Sequence, residues 1–167
     1  RAHTFLENLS VVDAAATFLD ALRGVTDPEE KRKIIGRTFW STLRDFARDL
    51  QAHVPLGVYS QGTLAPDVIE SGAESGSAAV IKTHHNLVAP PADFPFPPFE
   101  PLRALYKDQV RVLGRAIGVP EEILTRHPFP GPGLAIRVLG PVTPERVRVA
   151  RSCDTIFTTA LKERGYY

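Results

Sequence analysis

One short stretch of the sequence carries a group of side chains that suits phosphate chemistry. Lys82, His84, His85 and Asn86 directly follow the apolar residues 80–81, as polar residues do where a buried strand ends. Lysine and imidazole side chains can offset the negative charge that develops on phosphate oxygens. We therefore predict that this stretch contacts a nucleotide. Taken alone, two adjacent histidines are also typical of an ordinary protein surface.

Two carboxylates precede this stretch, and a charged pair follows it. Asp67 and Glu70 are three residues apart in the segment 61–71. Paired carboxylates can hold a divalent cation. Lys107 and Asp108 stand further downstream, at the mouth of a predicted helix. Helix capping is the competing interpretation for both pairs. Taken together, the three stretches predict a site for a metal and a nucleotide.

An α/β fold with a parallel sheet would bring these stretches together. Residues 57–60 and 78–81 are short apolar segments, typical of buried parallel strands, and polar residues follow each of them. Ligands of such sheets bind beyond the carboxyl ends of the strands. The segments 61–70 and 82–86 are therefore expected to meet at one edge of a parallel sheet flanked by helices.

The first third of the chain predicts a strand and two helices. Residues 9–12 favour a short strand, and Asp13 can cap a helix that ends at Gly24. Asp27 and Pro28 then predict the N-cap and the first turn of a long helix. Apolar residues of this helix recur every three or four positions and predict one buried stripe. The stripe consists of Ile35, Phe39, Leu43, Phe46 and Leu50.

Three basic residues near the start of this long helix have different predicted orientations. Arg32 lies about one turn before Ile35, on nearly the same stripe, so we expect it to point toward the protein interior. Lys31 and Lys33 flank Arg32, and we expect both of them to face solvent.

The second half of the chain alternates proline-rich segments with helical ones. Residues 90–101 predict an extended surface crossing rather than a regular element. A helix is predicted from residue 101 to residue 117. Residues 127–133 alternate proline with glycine, cannot form regular structure and mark a boundary. Beyond this boundary, residues 134–139 predict a strand, and residues 143–165 predict a last, capped helix.

Composition excludes several functional classes. The 167 residues carry a formal net charge of +1, so no global field attracts nucleic acid or an anionic membrane. Apolar runs fall short of the roughly 18 residues of a membrane span, and the N-terminus lacks a signal-peptide pattern. The single cysteine, Cys153, rules out an internal disulfide and fits a reducing compartment. We therefore expect a cytoplasmic protein with neither a nucleic-acid nor a membrane partner.

Several segments closely resemble GMP synthetase, in the order and approximate spacing of that family, and together they span nearly the whole chain. The run HPFPGPGLAIRVLG, at residues 127–140, is highly specific to the family. This resemblance implies an ATP-pyrophosphatase domain of the adenine nucleotide α-hydrolase type over residues 1–133, without its phosphate-binding loop. Residues 134–167 would begin an α+β dimerisation domain. The other matching segments are residues 24–36, 61–71, 81–86, 100–102 and 107–108.

The resemblance also implies a reaction and roles for individual residues. The family is a ligase of GMP and purine biosynthesis, which uses ATP and Mg²⁺ to adenylate XMP and then aminates it with ammonia from a glutamine amidotransferase domain or subunit. Homodimerisation through the C-terminal domain is expected. The implied metal ligands are Asp67 and Glu70. The implied catalytic residues are Asp67, Glu70, Lys82, His84, His85, Lys107 and Asp108, and the implied substrate-binding residues are Arg32, Gly62, Thr63 and Asn86.

Departures from the family pattern keep two alternatives open. The phosphate-binding SGGxDS loop would precede Arg1, so we expect the 167-residue chain alone not to form GMP. Residues 87–91 read Leu-Val-Ala-Pro-Pro where the family has Val-Gly-Gly-Leu-Pro, and Ala65 stands where tyrosine is usual. This altered loop supports a non-catalytic remnant that acts as a dimerisation or binding module. Another ATP-pyrophosphatase, of the NAD synthetase or tRNA-thiolation type, is disfavoured by the proline-glycine run.

Overall fold

Two helices open the part of the chain that the structure describes. The structure is a computed structural model, and it describes residues 9–70, 94–127 and 133–167. Helix α1 spans Ala15–Ala21, and helix α2 spans Pro28–Gln51. The N-cap predicted for α2 is confirmed, because the Asp27 side chain accepts a hydrogen bond from the backbone N–H of Glu30 at 2.8 Å. Such a bond satisfies one of the N–H groups that a helix start leaves without an intrahelical partner.

The buried face of α2 differs from the predicted stripe. Phe39 is 52% exposed, whereas its neighbour Trp40 is only 7% exposed. The other four stripe residues are half-buried. The stripe is therefore wrong at Phe39, because the larger ring of Trp40 enters an aromatic cluster instead. The buried positions of α2 are Lys31, Thr38, Trp40 and Ala47.

A small parallel sheet follows α2. Strand β1 is Tyr59–Ser60 and strand β2 is Pro98–Phe99, and the two pair in parallel. The predicted strand at 57–60 is confirmed in shorter form, while the predicted strand at 78–81 lies outside the described residues. Segment 90–101 was expected to contain no regular element, and β2 shows that this was wrong. Proline is tolerated there because neither of the bonds that flank the pair needs an N–H from a proline: Pro97 accepts from Tyr59 N, and Phe99 accepts from Gln61 N.

The aromatic cluster fixes this sheet against α2. The ring of Trp40 meets those of Tyr59 and Phe94 edge to face, with centroids 5.5 and 5.1 Å apart. Phe94 in turn contacts Tyr59 and Phe96 in the same geometry. Edge-to-face pairs add to the stabilisation that comes from burying the rings. The cluster therefore sets where β1 ends relative to α2.

Helices make up the remainder of the described chain. Helix α3 spans Ala65–Glu70, α4 spans Lys107–Ala116, and α5 spans Glu121–Leu124. Helix α6 spans Leu134–Arg137 and packs on α7, which spans Pro144–Glu163. Thr143 caps α7 as predicted, because its side chain accepts from the backbone N–H of Arg146.

Three sequence predictions about these elements are wrong. Residues 134–139 were expected to form a strand, but their first four residues form α6, and the backbone becomes extended only at Val138. Residues 9–12 are irregular and exposed rather than a strand. The helix predicted from residue 101 begins only at Lys107, because residues 101–104 form turns and residues 105–106 are irregular.

The described residues thus form an α/β fold with a small parallel sheet and mostly helices. Within these residues, no helix is both long enough and apolar enough to cross a membrane.

Candidate functional site

A partly buried hydrogen bond joins the segments that leave the two strands. Thr63, three residues after β1, is 6% exposed, and its hydroxyl donates to Oε1 of Glu100 at 2.5 Å. Glu100 directly follows β2. Since β1 and β2 are parallel, both residues lie at the carboxyl edge of the sheet, where ligands of α/β folds bind. We call this region the site edge: residues 61–70, Glu100 and the first residues of α4.

Glu100 is held ionised at the site edge. The hydrogen bond from Thr63 lowers the pKa of the Glu100 carboxyl below its usual value, and a bond from Arg103 Nη1 at 2.8 Å adds to this, while burial opposes it. A fixed negative charge therefore stands beside the predicted binding residues. Glu100 was not among the predicted site residues. Its sequence signal is its position just after an extended segment, which matches the position of Gln61 after β1.

Asp67 has a structural contact of its own. Its Oδ2 accepts from the backbone N–H of Leu64 at 2.9 Å, which satisfies a donor at the start of α3. Helix capping, the interpretation that competes with metal binding, therefore accounts for at least one hydrogen bond of Asp67. A metal contact by Asp67 would have to use Oδ1 or share Oδ2. The side chain of Glu70, the other predicted ligand, lies outside the described residues.

The structure describes only part of the predicted metal site. Within residues 9–70, 94–127 and 133–167, no group of three or more His, Cys, Asp or Glu side chains could hold a metal ion. The oxygen of Asp67 nevertheless fits the chemistry of a hard cation such as Mg²⁺, which keeps several waters and needs only one or two carboxylates. The predicted metal pair therefore remains a prediction.

A backbone bond brings the start of α4 to the site edge. The N–H of Ala65, the first residue of α3, donates to the carbonyl of Leu105 at 3.0 Å. Lys107 and Asp108, the first two residues of α4, are both exposed just beyond this contact. The capping bond of α4 is made by Gln109, whose side chain accepts from the N–H of Tyr106 at 2.8 Å.

The position of Lys107 is unfavourable for the helix itself. A helix N-terminus carries partial positive charge, so a cation there adds repulsion rather than stability. Asp108, in the same turn, places a carboxylate beside this positive charge, as suits a helix start. A role of Lys107 in binding a phosphate remains a prediction.

Gly62 and Thr63 can contact a ligand only in limited ways. The hydroxyl of Thr63 is engaged with Glu100 and buried, so a contact from Thr63 would come from its backbone. A Cβ placed on Gly62 would meet nothing within 4 Å, so its backbone is open to an approaching molecule. Accessible main chain at the site edge is therefore presented by Gly62, whereas Thr63 is buried.

Arg32 has a different orientation from the predicted one. Its side chain is 44% exposed, and Nη1 lies 3.3 Å from Oε2 of Glu29. Lys31, which was expected to face solvent, is 1% exposed. The predicted orientations of these two residues are therefore wrong, because carbonyl acceptors from a distant loop take the Lys31 ammonium inside. Arg32 precedes Trp40 by eight residues, about 12 Å along α2 from the contact with β1.

The other predicted site residues lie outside the described part of the chain: Lys82, His84, His85 and Asn86. Of the described ones, the structure brings Gly62, Thr63 and Asp67 to one edge with the helix that begins at Lys107 and Asp108. Arg32 lies near the start of α2, away from the contact of Trp40 with Tyr59 of β1. Roles in binding or catalysis remain predictions for all of them.

Similar proteins cover almost the whole chain. It is 54% identical over 156 residues to a protein of Symbiobacterium thermophilum named GMP synthase [glutamine-hydrolyzing], an alignment of 93% of this chain and 29% of that protein. Proteins of the same name from Thermus thermophilus and Aspergillus fumigatus are 54% and 51% identical, over 96% of this chain and 31% and 30% of their own lengths. No family model matches the chain. The chain thus spans about 30% of the length of these relatives.

Proposed function

We propose that this chain, which belongs to the GMP synthase family as a segment of about 30% of the length of its relatives, acts in the conversion of XMP to GMP. The observation that carries the proposal is 54% identity over 93% of the chain. The geometry supports it as well, because three features meet at the site edge. They are the hydrogen bond between Thr63 and Glu100, the carboxylate of Asp67, and the start of α4 at Lys107. Such an edge suits a nucleotide with a metal ion.

We further propose the finer fold and its division. Residues 1–133 would belong to an ATP-pyrophosphatase domain of the adenine nucleotide α-hydrolase type, and residues 134–167 would begin a dimerisation domain. The parallel pair β1 and β2 supports the first part. Helix α7 supports the second, because it exposes Val149, Ile156 and Phe157, which a second copy could cover. We also propose a cytoplasmic location, which the exposed free thiol of Cys153 fits.

ATP would bind at the site edge in this proposal. Asp67 and Glu70 would hold the Mg²⁺ that accompanies the nucleotide, and the bound metal would supply charge neutralisation to the phosphate oxygens. Lys107, at the start of α4, and the predicted residues Lys82, His84 and His85 would offset charge that grows on the departing pyrophosphate. Glu100 would keep Thr63, and with it the open backbone at Gly62, in a fixed position.

XMP would contact Arg32 and Asn86, while the backbone at 62–63 would contact ATP. An exposed guanidinium presents a rigid fork of donors that matches phosphate oxygens. The C2 oxygen of XMP would attack the α-phosphorus of ATP, and the bond to pyrophosphate would break. Ammonia, released from glutamine elsewhere in the enzyme, would then add to C2 and expel AMP with that oxygen, losing a proton to give GMP.

Oxygen labelling tests this proposal in the full-length protein. XMP carrying ¹⁸O at C2 would be incubated with ATP, Mg²⁺ and ammonia, and the products would be separated and analysed by mass spectrometry. We expect GMP without the label and AMP with one ¹⁸O on its phosphoryl group. Label in water or in pyrophosphate would contradict this route. Consumption of ATP without use of XMP would favour another pyrophosphatase, and absence of ATP turnover would favour a non-catalytic module.

A further inference from the structure

Lys31 makes an unusual long-range contact at the start of α2. Its Nζ donates to the carbonyl of Val138 at 2.8 Å and to the carbonyl of Gly140 at 2.6 Å. The acceptors lie 107 and 109 residues further along the chain. Lysine is almost never fully buried in proteins unless its charge is well compensated. The side chain therefore ties the start of α2 to the loop that connects α6 with α7.

Arg146 holds the same loop from the other side. Its Nη1 donates to the carbonyls of Leu139 and Pro141, at 3.0 and 3.2 Å. Four consecutive carbonyls, at residues 138–141, thus accept hydrogen bonds from two cations. Gly140 has φ of +74°, and a Cβ there would come within 3.0 Å of Arg146 Nη1, so a side chain would strain the turn and crowd the guanidinium. We call Lys31, residues 138–141 and Arg146 the junction.

Lys31 does more than fill space at this position. An apolar side chain of similar length would avoid removing an ammonium from water, but it would leave the carbonyls of Val138 and Gly140 without these donors. Burial lowers the pKa of Lys31, the nearby Arg146 lowers it further, and Asp27 acts in the opposite direction. Unlike an apolar group, the ammonium makes two directional hydrogen bonds. These bonds fix the start of α2 relative to the loop at residues 138–141.

We propose that Lys31 is a positioning residue for XMP, which it serves by fixing its neighbour Arg32 relative to the segment that begins at α6. This inference rests on the proposed function, in which Arg32 contacts XMP. The junction then holds the backbone next to Arg32 against the loop at residues 138–141. A shift of about 1 Å between parts of a site can cost about 10²-fold in rate, even when the altered residue does not touch the substrate.

The test uses the full-length protein with Lys31→Met, which removes the ammonium and keeps most of the stem. Lys33→Met is the matched control, since it alters an exposed lysine on the same helix. We expect KM for XMP to rise about tenfold to 10²-fold in Lys31→Met, and KM for ATP to stay within about twofold. Lys33→Met should change neither constant. A merely structural role would lower the amount of active enzyme and leave both KM values alone.

Arg146→Met gives an independent test that also applies if Lys31→Met does not fold. Arg146 is exposed, so its replacement leaves no cavity, and Arg148→Met on the same helix is its control. We expect the same selective rise of KM for XMP, smaller than for Lys31→Met. An unchanged KM for XMP, or equal rises for both substrates, would overturn the positioning role while GMP formation continued. An unmutated protein that fails to consume XMP would overturn the proposed function, and this role with it.

Discussion

The site edge and the junction are each held by a hydrogen bond from a buried side chain, Thr63 or Lys31, but these bonds connect the chain over very different sequence separations. At the site edge, Thr63 reaches Glu100 across 37 residues. At the junction, Lys31 reaches Val138 across 107 residues. The residue types differ as well: a hydroxyl meets a carboxylate at the edge, whereas an ammonium meets main-chain carbonyls at the junction.

This difference decides what each region can do in the proposed reaction. The site edge combines an open backbone with exposed groups at a helix start, so it can take a ligand directly. The junction uses its cations on the protein itself, and the Lys31 ammonium is inaccessible to a ligand. We therefore assign ATP to the edge, and we assign to the junction an indirect effect on XMP through Arg32.

The largest expected loss of stability comes from Trp40, which packs α2 on the strand leading into the site edge. Trp40→Ala removes a ring that contacts Tyr59 and Phe94, and should lower the free energy of unfolding by about 3–5 kcal/mol. Phe39→Ala, the neighbouring control, removes a half-exposed ring and should cost about 1 kcal/mol. Denaturant titration measures both. A larger loss for Phe39 would support the predicted stripe and contradict the orientation of α2.

A smaller loss is expected when the partly buried bond of the site edge is removed. Thr63→Val keeps the shape of the side chain but leaves the Glu100 carboxylate without this donor, and should destabilise the protein by about 1.5–3 kcal/mol. Thr155→Val is the control, because that exposed hydroxyl donates only within its own helix, to the Arg151 carbonyl. Its effect should stay within about 0.5 kcal/mol. Equal effects of the two variants would mean that the Thr63–Glu100 bond contributes little.

The same bond predicts a modest dependence of stability on pH. Because the pKa of Glu100 is lower in the folded protein than its usual value of 4.5, its contribution is present above pH 4.5 and is lost as pH falls through the folded pKa. Both Glu100→Gln and Thr63→Val should flatten the fall of unfolding free energy below pH 4.5. Unfolding curves at several acidic pH values test this. A slope as steep in both variants as in the unmutated protein would rule out the pKa shift.

Local signals in the sequence predicted local structure well. The caps at Asp27 and Thr143 are confirmed because a cap depends on a few neighbouring residues. The position of Thr63 and Asp67 after a strand was also predicted, because polar residues follow a short apolar run at 57–60. Predictions that depended on distant partners were weaker. Residues 9–12 have the composition of a strand, yet composition does not supply the neighbouring strand that a sheet needs.

The junction shows why sequence patterns did not predict contacts between distant segments of the chain. Helical periodicity indicates which residues share a face, but adjacent residues differ by only about 100° around the helix, so small errors exchange them. The carbonyls that accept hydrogen bonds from Lys31 come from the loop at 138–141, and no residue near Lys31 in the sequence indicates this contact. The helix α6 was missed for a related reason, since its four residues are too few to show a period.

One pair of variants tests most directly whether the two regions serve two substrates. Arg32→Gln and Lys107→Gln would be made in the full-length protein, and KM for XMP, KM for ATP and the rate of pyrophosphate release would be measured for each. We expect Arg32→Gln to raise KM for XMP about tenfold to 10²-fold, with KM for ATP unchanged. Lys107→Gln should slow pyrophosphate release by about 10²–10³ without raising KM for XMP or lowering stability. If both variants altered the constants of the same substrate, the assignment of ATP to the edge and of XMP to Arg32 would be wrong.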